Sequence, residues 1–331
     1  MKRFAAMLIA LAVIVAGAFE WEAADYKAPG PAAKETIVLI PPHSGVLKIA
    51  QRLEGARVVK HAYLFWFGVH LRGQAAALKA GEYAVPARAS LKDIADILIS
   101  GKVVQHKLTA AEGLTSRMIY DIVKNDPVLT GSPGKVPAEG ALLPETYLFT
   151  RGTTRAQMFA RMEASRKKLL DRLWAGRASD LPFATREQAL VLASIVEKES
   201  AIASERRHIA SVFINRLRIG MPLQSDPTII YGITRGYPLG RAILESEVKA
   251  PTPFNTYVIS GLPPQPICNP GADSIAAVLN PDKTSDLYFV ADGTGGHVFS
   301  ATIAEHRMNV AKWRKIRDQR SGIGDRKLPH D

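Results

Sequence analysis

Val191-Leu-Ala-Ser-Ile-Val-Glu197-Lys-Glu199-Ser200 is a nearly all-apolar run that ends abruptly in two carboxylates. Thr185, followed three residues later by Gln188, has the pattern of a capping box and opens a helix at about Arg186. Leu190, Val191, Leu192, Ala193, Ile195 and Val196 leave little polar face, so this helix is expected to be buried on most sides. Glu199 lies one turn after Ile195 and Val196 and two turns after Leu192, so it continues the apolar stripe. Glu197 follows Ala193 and Ser194, a less apolar face. A carboxyl on an apolar face has a raised pKa and stays protonated near neutral pH, as a general acid requires. Glu-Lys-Glu at a helix end is also a common solvated tip, so composition alone leaves both readings open.

The remaining sequence narrows the choice. A chain of 331 residues suggests about two domains, and 47% hydrophobic with 22% charged residues is a globular composition. Residues Phe4 to Phe19 carry no charge and follow Lys2 and Arg3. This pattern reads as a transmembrane anchor over 1–21, with the N-terminus inside and the bulk of the chain periplasmic. Cys268 is the single cysteine, so no intramolecular disulfide forms; it reads as a buried inert thiol. The net charge of +12 points to an anionic partner or surface. Nucleic acid is disfavoured by the export signal and by the absence of any zinc-finger spacing, RNP-like motif or basic helix-turn-helix.

After the anchor, 22–35 reads as a Pro-containing linker. A small mixed unit follows over 36–104. It has strands at Thr36–Ile40, Gly81–Val85 and Val103–Leu108, and helices from Ser44 to Leu53, from Val58 to Leu71 and after Ser90. From about Thr109 the chain becomes more helical, with helices at Leu114–Val123, Arg155–Trp174, the acid-tipped run and a segment capped by Ser204. Pro251 to Pro270 is expected to be irregular, and Asp292-Gly-Thr-Gly-Gly296 joins a hairpin. A helix over Ile303–Arg317 precedes a polar tail, 318–331. The expected class is α+β: a membrane helix, a small α/β domain, and a larger mostly helical domain with short strands over 105–317.

Few other mechanisms have candidates. Ser194 lacks the glycines of a nucleophile elbow, and the eight histidines show no HExxH spacing. His297 and His306 read as core or solvated polar residues rather than ligands, so neither a metal nor a cofactor is expected. Ala193-Ser-Ile-Val-Glu-Lys-Glu-Ser200 is followed by Ala210-Ser-Val-Phe-Ile-Asn-Arg-Leu-Arg-Ile-Gly-Met221 and Leu223-Gln-Ser-Asp-Pro-Thr228. Next come Pro251-Thr-Pro-Phe-Asn-Thr-Tyr257, Gly261-Leu-Pro-Pro264, Asn269-Pro-Gly-Ala-Asp273 and Tyr288-Phe-Val-Ala-Asp-Gly293. In this order the motifs resemble the YceG-like family of endolytic murein transglycosylases, the MltG type. Glu139-Gly-Ala-Leu-Leu-Pro-Glu-Thr-Tyr147 resembles a further family motif, with Glu145 where Asp is usual. Residues 36–100 resemble the family's LysM-like portion more weakly.

The resemblance implies a lyase that cuts between N-acetylmuramic acid and N-acetylglucosamine of nascent peptidoglycan strands and leaves a 1,6-anhydro end. One carboxyl serves as acid and then as base, so no second acid is required. The resemblance and the apolar-face argument both favour Glu199 as that acid, with Glu197 as runner-up and expected to form structural pairs, Arg206 among the partners. Tyr147, Asp226, Tyr231, Asn255, Thr256 and Tyr257 are candidate substrate contacts. Each also has a structural reading: an Asx turn for Asp226, loop structure for the 255–257 triplet, core packing for Tyr147 and Tyr231. The implied partners are glycan strands, the inner membrane and peptidoglycan synthases. A water-using muramidase and a non-catalytic wall-binding scaffold are the alternatives.

Overall fold

The computed structural model describes residues 24–200 and 202–320, together with positions 7, 9, 10, 12–14, 16, 17 and 20. Two compact units are formed, Met1–Lys107 with Leu148–Thr153, and Leu108–Tyr147 with Thr154–Asp331. The anchor expected over 1–21 lies mostly outside the described residues. Among the described residues, no helix is long and apolar enough to cross a membrane.

In the first unit, β1 (Thr36–Ile40) pairs antiparallel with β2 (Gly81–Val85), Thr36 opposite Val85. Val38 and Ile40 face the core while Ile37 and Leu39 stay exposed, the period-two alternation of a one-sided sheet. Three helices complete the core: α1 (Val46–Gly55), α2 (Ala62–Leu71) and α3 (Leu91–Ser100). Ser90 and Asp93 close a capping box on α3, and Gly101, at φ 71°, ends it. Two expected boundaries move. Gly45 rather than Ser44 caps α1, and α2 starts at Ala62 rather than Val58. Arg57 takes φ 58°, which breaks helical continuity, so Val58 and Val59 fill the core from a turn.

Within this unit, buried Glu82 bonds His106 Nε2 at 2.5 Å and accepts from Arg151 Nε at 2.8 Å. Burial pushes this carboxyl up, but the two bonds outweigh it and hold it below the usual carboxylate range. His106 opens β3 (His106–Thr109), shorter than the expected strand, which pairs with β4 (Thr146–Phe149), a strand the sequence did not announce.

The second unit is mostly helical. It contains α4 (Ser116–Asn125), α5 (Arg155–Ala175), α6 (Arg186–Glu199), α7 (Arg206–Arg218), α8 (Asp226–Thr234), α9 (Glu245–Val248) and α10 (Ala272–Leu279). The hairpin β5 (Tyr288–Ala291) and β6 (His297–Ser300) follows, then α11 (Ile303–Arg320). The acid-tipped run is α6. Gln188 N donates to Thr185 Oγ1 and Thr185 N to Gln188 Oε1, the expected capping box. Ala189 through Val196 are all buried, with α7, α8 and α10 packed around them. Each Leu, Ile or Val removed from water there contributes about 1.5–3 kcal/mol, which is why this helix is the axis of the unit.

Two helix starts differ from expectation. A 3₁₀ turn at Ala203–Glu205 precedes α7, so Ser204 is not its cap. Asp226-Pro227 opens α8 instead of forming an isolated turn, because a proline in the first helical turn loses no intrahelical bond. Residues 251–270 hold no helix or strand, as their Pro and Gly content predicts. The final helix runs to Arg320, past the expected Arg317; the tail positions 321–331 lie outside the described residues.

Candidate active site

The C-terminus of α6 delivers Glu199 to a polar cleft of about 310 Å³. Arg216 of α7, Gln224, Asp226 at the start of α8, Tyr257 from the irregular segment and His306 of α11 share it. Glu199 is half-buried, and Ser225 Oγ donates to its Oε1 at 2.5 Å. Its pKa is pushed up to about 7. Burial is the main cause and the negative charge of Asp226 adds to it; the Ser225 bond and the positive charges of His297 and Arg216 act against it. The negative end of the α6 dipole, where Glu199 sits, favours the protonated form further.

The surroundings of the acid are braced from beneath. Ser225 N donates to Thr256 Oγ1 at 2.9 Å, and Gln224 N to Thr256 O at 3.0 Å. The Thr228 and Thr256 hydroxyls bond at 2.9 Å. Arg216 is buried; its Nε donates to Leu287 O at 2.7 Å and its Nη1 to Leu223 O at 2.7 Å. It therefore ties α7 to the loop before Ser225 and to the segment leading into β5. The Tyr257 hydroxyl donates to Asp226 Oδ1 at 2.7 Å, and burial together with that carboxylate pushes its pKa up. His306 stacks on Tyr288 at 5.1 Å between ring centroids; burial and Arg216 hold its pKa down, favouring the neutral ring.

Of the residues singled out from sequence, Glu199, Asp226 and Tyr257 meet at this cleft. Thr256 is fully buried under it and bonds the Ser225 loop rather than facing the opening. Asn255 is also buried, its Nδ2 donating to the carbonyls of Glu247, Val248 and Ala250, so it closes the loop around α9. Tyr147 and Tyr231 do not line the cleft. The Tyr147 hydroxyl donates to Leu143 O at 2.8 Å. The Tyr231 hydroxyl donates to Glu139 Oε2 at 3.3 Å and accepts from Gln265 Nε2 at 3.1 Å.

Glu197 points elsewhere. Its side chain is 4% exposed, pairs with Arg206 Nη2 at 3.3 Å and accepts from Gly271 N at 2.9 Å. The expected pairing with Arg206 is present. Cys268 is buried beside Ser194 O, with burial pushing its thiol far above the ordinary value. Ser194 Oγ donates to Val191 O and accepts from Ile267 N, which holds the irregular segment against α6.

Sequence reasoning passed over Ser225, Arg216 and Gln224, although all three stand inside or beside quoted motifs. Nothing in their spacing distinguishes a cleft wall from an ordinary helix or turn. Another omission is Asn269. It is wholly buried, donates to Leu114 O and Ser116 Oγ, and accepts from Leu142 N, knitting three distant segments. Larger hollows exist, of about 460 Å³ beside Glu112 and about 490 Å³ beside Arg206. Glu112 is also raised in pKa, by burial and then Glu197, but it is exposed and paired with Arg206 at 3.3 Å. Among the described residues, no group of three or more His, Cys, Asp and Glu side chains is placed to hold a metal ion.

Residues 38–312 match the model of the YceG-like family. The chain belongs to the YceG-like family. The matched span takes in every residue of the Glu199 cleft. The chain is 29% identical to an endolytic murein transglycosylase of Bacillus subtilis (strain 168), over 91% of each chain. It is 32% identical to an endolytic murein transglycosylase of Streptococcus pneumoniae serotype 2 (strain D39 / NCTC 7466), over 84% of this chain and 58% of that one. A crystal structure of a yceG-like protein from Listeria monocytogenes is 31% identical, covers 84% of this chain and 99% of that one, and has a TM-score of 0.49.

Proposed function

We propose that this family member is an endolytic lytic transglycosylase of peptidoglycan, with Glu199 as its acid and base. The observation that carries the proposal is the half-buried Glu199 carboxyl, held by Ser225 in a polar cleft with Asp226, Tyr257 and Arg216. The names of its relatives supply the substrate class. In the first half-reaction the Glu199 proton passes to the glycosidic oxygen as the bond from that oxygen to C1 of the muramoyl sugar breaks. The carboxylate left behind takes the proton of the same sugar's C6 hydroxyl as that oxygen bonds C1. The proton count on Glu199 is restored, and the new end is 1,6-anhydro. Because the nucleophile belongs to the substrate, its effective concentration exceeds that of any water. Asp226, oriented by Tyr257, places negative charge on the wall facing the developing oxocarbenium ion.

Asp226 also supports a second reading. Glycosidases that use water place two carboxyls at the scissile bond, and here the cleft holds two. Mass spectrometry of the fragments decides between them. Digestion of purified peptidoglycan by the wild-type protein is expected to give anhydro ends, and Glu199→Gln is expected to give none. Reducing ends would make the protein a muramidase, and undiminished cleavage by Glu199→Gln would remove Glu199 from the chemistry.

Placement follows from the sequence. The uncharged run Phe4 to Phe19 supports a single-pass inner-membrane anchor with the N-terminus inside and the chain that follows it periplasmic. Met7, Ile9, Val13 and Ile14 are exposed apolar side chains, consistent with a lipid contact. Such an anchor holds Glu199 near newly made strands and their synthases, with the unit built on β1 and β2 as a LysM-like glycan holder.

A further inference from the structure

The loop Leu223-Gln224-Ser225 is fixed at three backbone points: Arg216 Nη1 on Leu223 O, Gln224 N on Thr256 O, and Ser225 N on Thr256 Oγ1. Between these anchors Gln224 takes φ 53°. That is the left-handed region, which glycine and asparagine enter far more readily than glutamine. Among the described residues, the other non-glycine positions with positive φ are His43, Arg57, Arg88 and Arg235, and none of them lines the Glu199 cleft. A turn needed only for its shape is served better by glycine, so the glutamine side chain has a use that offsets the strain.

The side chain itself indicates what that use is. Glu199, Asp226, Tyr257 and Arg216 each hold hydrogen bonds within the protein. The Gln224 carboxamide is exposed at the cleft and, among the described residues, bonds no other group. A carboxamide carries one acceptor and two donors, so it donates to the C=O of an acetamido group or accepts from its N–H, the two pointing opposite ways in the trans amide. Gln224 also precedes Ser225, whose hydroxyl holds Glu199, so the amide and the acid serve the same sugar or its immediate neighbour. We propose that Gln224 binds the acetamido group of a sugar at the scissile bond and so selects N-acetylated glycan. This rests on the reading of the cleft as a glycan-cleaving site.

Gln224→Gly removes the amide and relieves the backbone, so this variant is expected to melt at or above the wild-type temperature. Wild type and variant are compared on soluble peptidoglycan strands, both N-acetylated and chemically N-deacetylated. On acetylated strands the variant is expected to lose roughly 10- to 100-fold in kcat/KM, chiefly through KM, with the pH dependence unchanged. On deacetylated strands the two proteins are expected to be equally poor; on acetylated strands Gln224→Asn, which keeps a shorter amide and suits the left-handed region, is expected to fall between them. A glycine variant that retains the wild-type preference for acetylated strands overturns the proposal. So does an equal loss on both substrates together with a lowered melting temperature, which marks a structural residue. Binding of N-acetylated chitooligosaccharide in the Glu199→Gln background, with and without Gln224→Gly, keeps the two readings apart. If wild type cleaves nothing, the enzymatic reading fails, yet a weaker affinity of the double variant still supports the Gln224 contact and an equal affinity still overturns it.

Discussion

Glu199 carries opposite requirements in one side chain. As the proposed acid and base it must hold a proton to start the reaction and release it during the reaction, which calls for a pKa near the working pH. Burial and Asp226 set that value at about 7, from an ordinary 4.5. The value gives a direction to the rate profile: kcat/KM is expected to stay level below pH 7 and fall about tenfold per unit above it, because the free enzyme then lacks the proton. A steady-state pH series on soluble glycan checks this, and a rate that rises through pH 7 contradicts it. Stability follows the same group. Between 4.5 and 7 the folded chain keeps a proton that the unfolded chain has released, so stability falls as pH rises through that window. Glu199→Gln is never charged and escapes this loss. Its free energy of unfolding is expected to match wild type at pH 4 and to exceed it at pH 8, by at most about 3 kcal/mol and less because the cleft admits water. Melting curves at the two pH values read the difference directly.

Element α6 shows what was legible in the sequence and why. Its start, its burial and its acid tip follow from local rules: a capping box at Thr185 and Gln188, an unbroken apolar run, and the side-chain spacing of a helix. Separating the two acids needed only that spacing, since residues two apart on a helix face different neighbours. Glu197 meets Arg206 and Gly271 N, while Glu199 meets Ser225. What faces them was not legible. The walls formed by Arg216, Gln224 and Ser225 depend on α7 and on Thr256 of an irregular segment meeting at one place, contacts set by tertiary packing rather than by any local period. The extra helix α8 was hidden for a related reason: Asp-Pro reads equally well as a turn. The division of labour on α6 is testable with Glu197→Gln. Loss of its buried charge leaves Arg206 without its best-buried partner, and breaking a buried pair from one side costs about 3 kcal/mol. The variant is expected to unfold at clearly lower denaturant while the fraction still folded cleaves at a rate within about threefold of wild type. A full loss of cleavage with unchanged stability would exchange the roles of the two acids.

Over the whole molecule, charge is the property that neither the cleft nor α6 explains. The chain carries 43 Lys and Arg against 31 Asp and Glu, a surplus of +12. The cleft itself is not the source of that surplus, since it sets Arg216 against Glu199 and Asp226. The surplus is therefore spread over surfaces outside the reacting centre, where it acts over a distance and is screened by salt. Peptidoglycan presents carboxylates along its peptide stems, so a basic protein concentrates on it before any sugar enters the cleft. This separates capture from chemistry. Binding of Glu199→Gln protein to intact sacculi is expected to weaken about tenfold between 50 mM and 500 mM salt, and to be weak and nearly salt-independent on sacculi whose carboxylates have been amidated with carbodiimide. Cleavage of short soluble glycan should change far less over the same range, because its contacts are hydrogen bonds in the cleft. A sedimentation assay on both sacculus preparations tests the point. Equal salt dependence on native and amidated walls would show that the surplus charge serves some surface other than the cell wall.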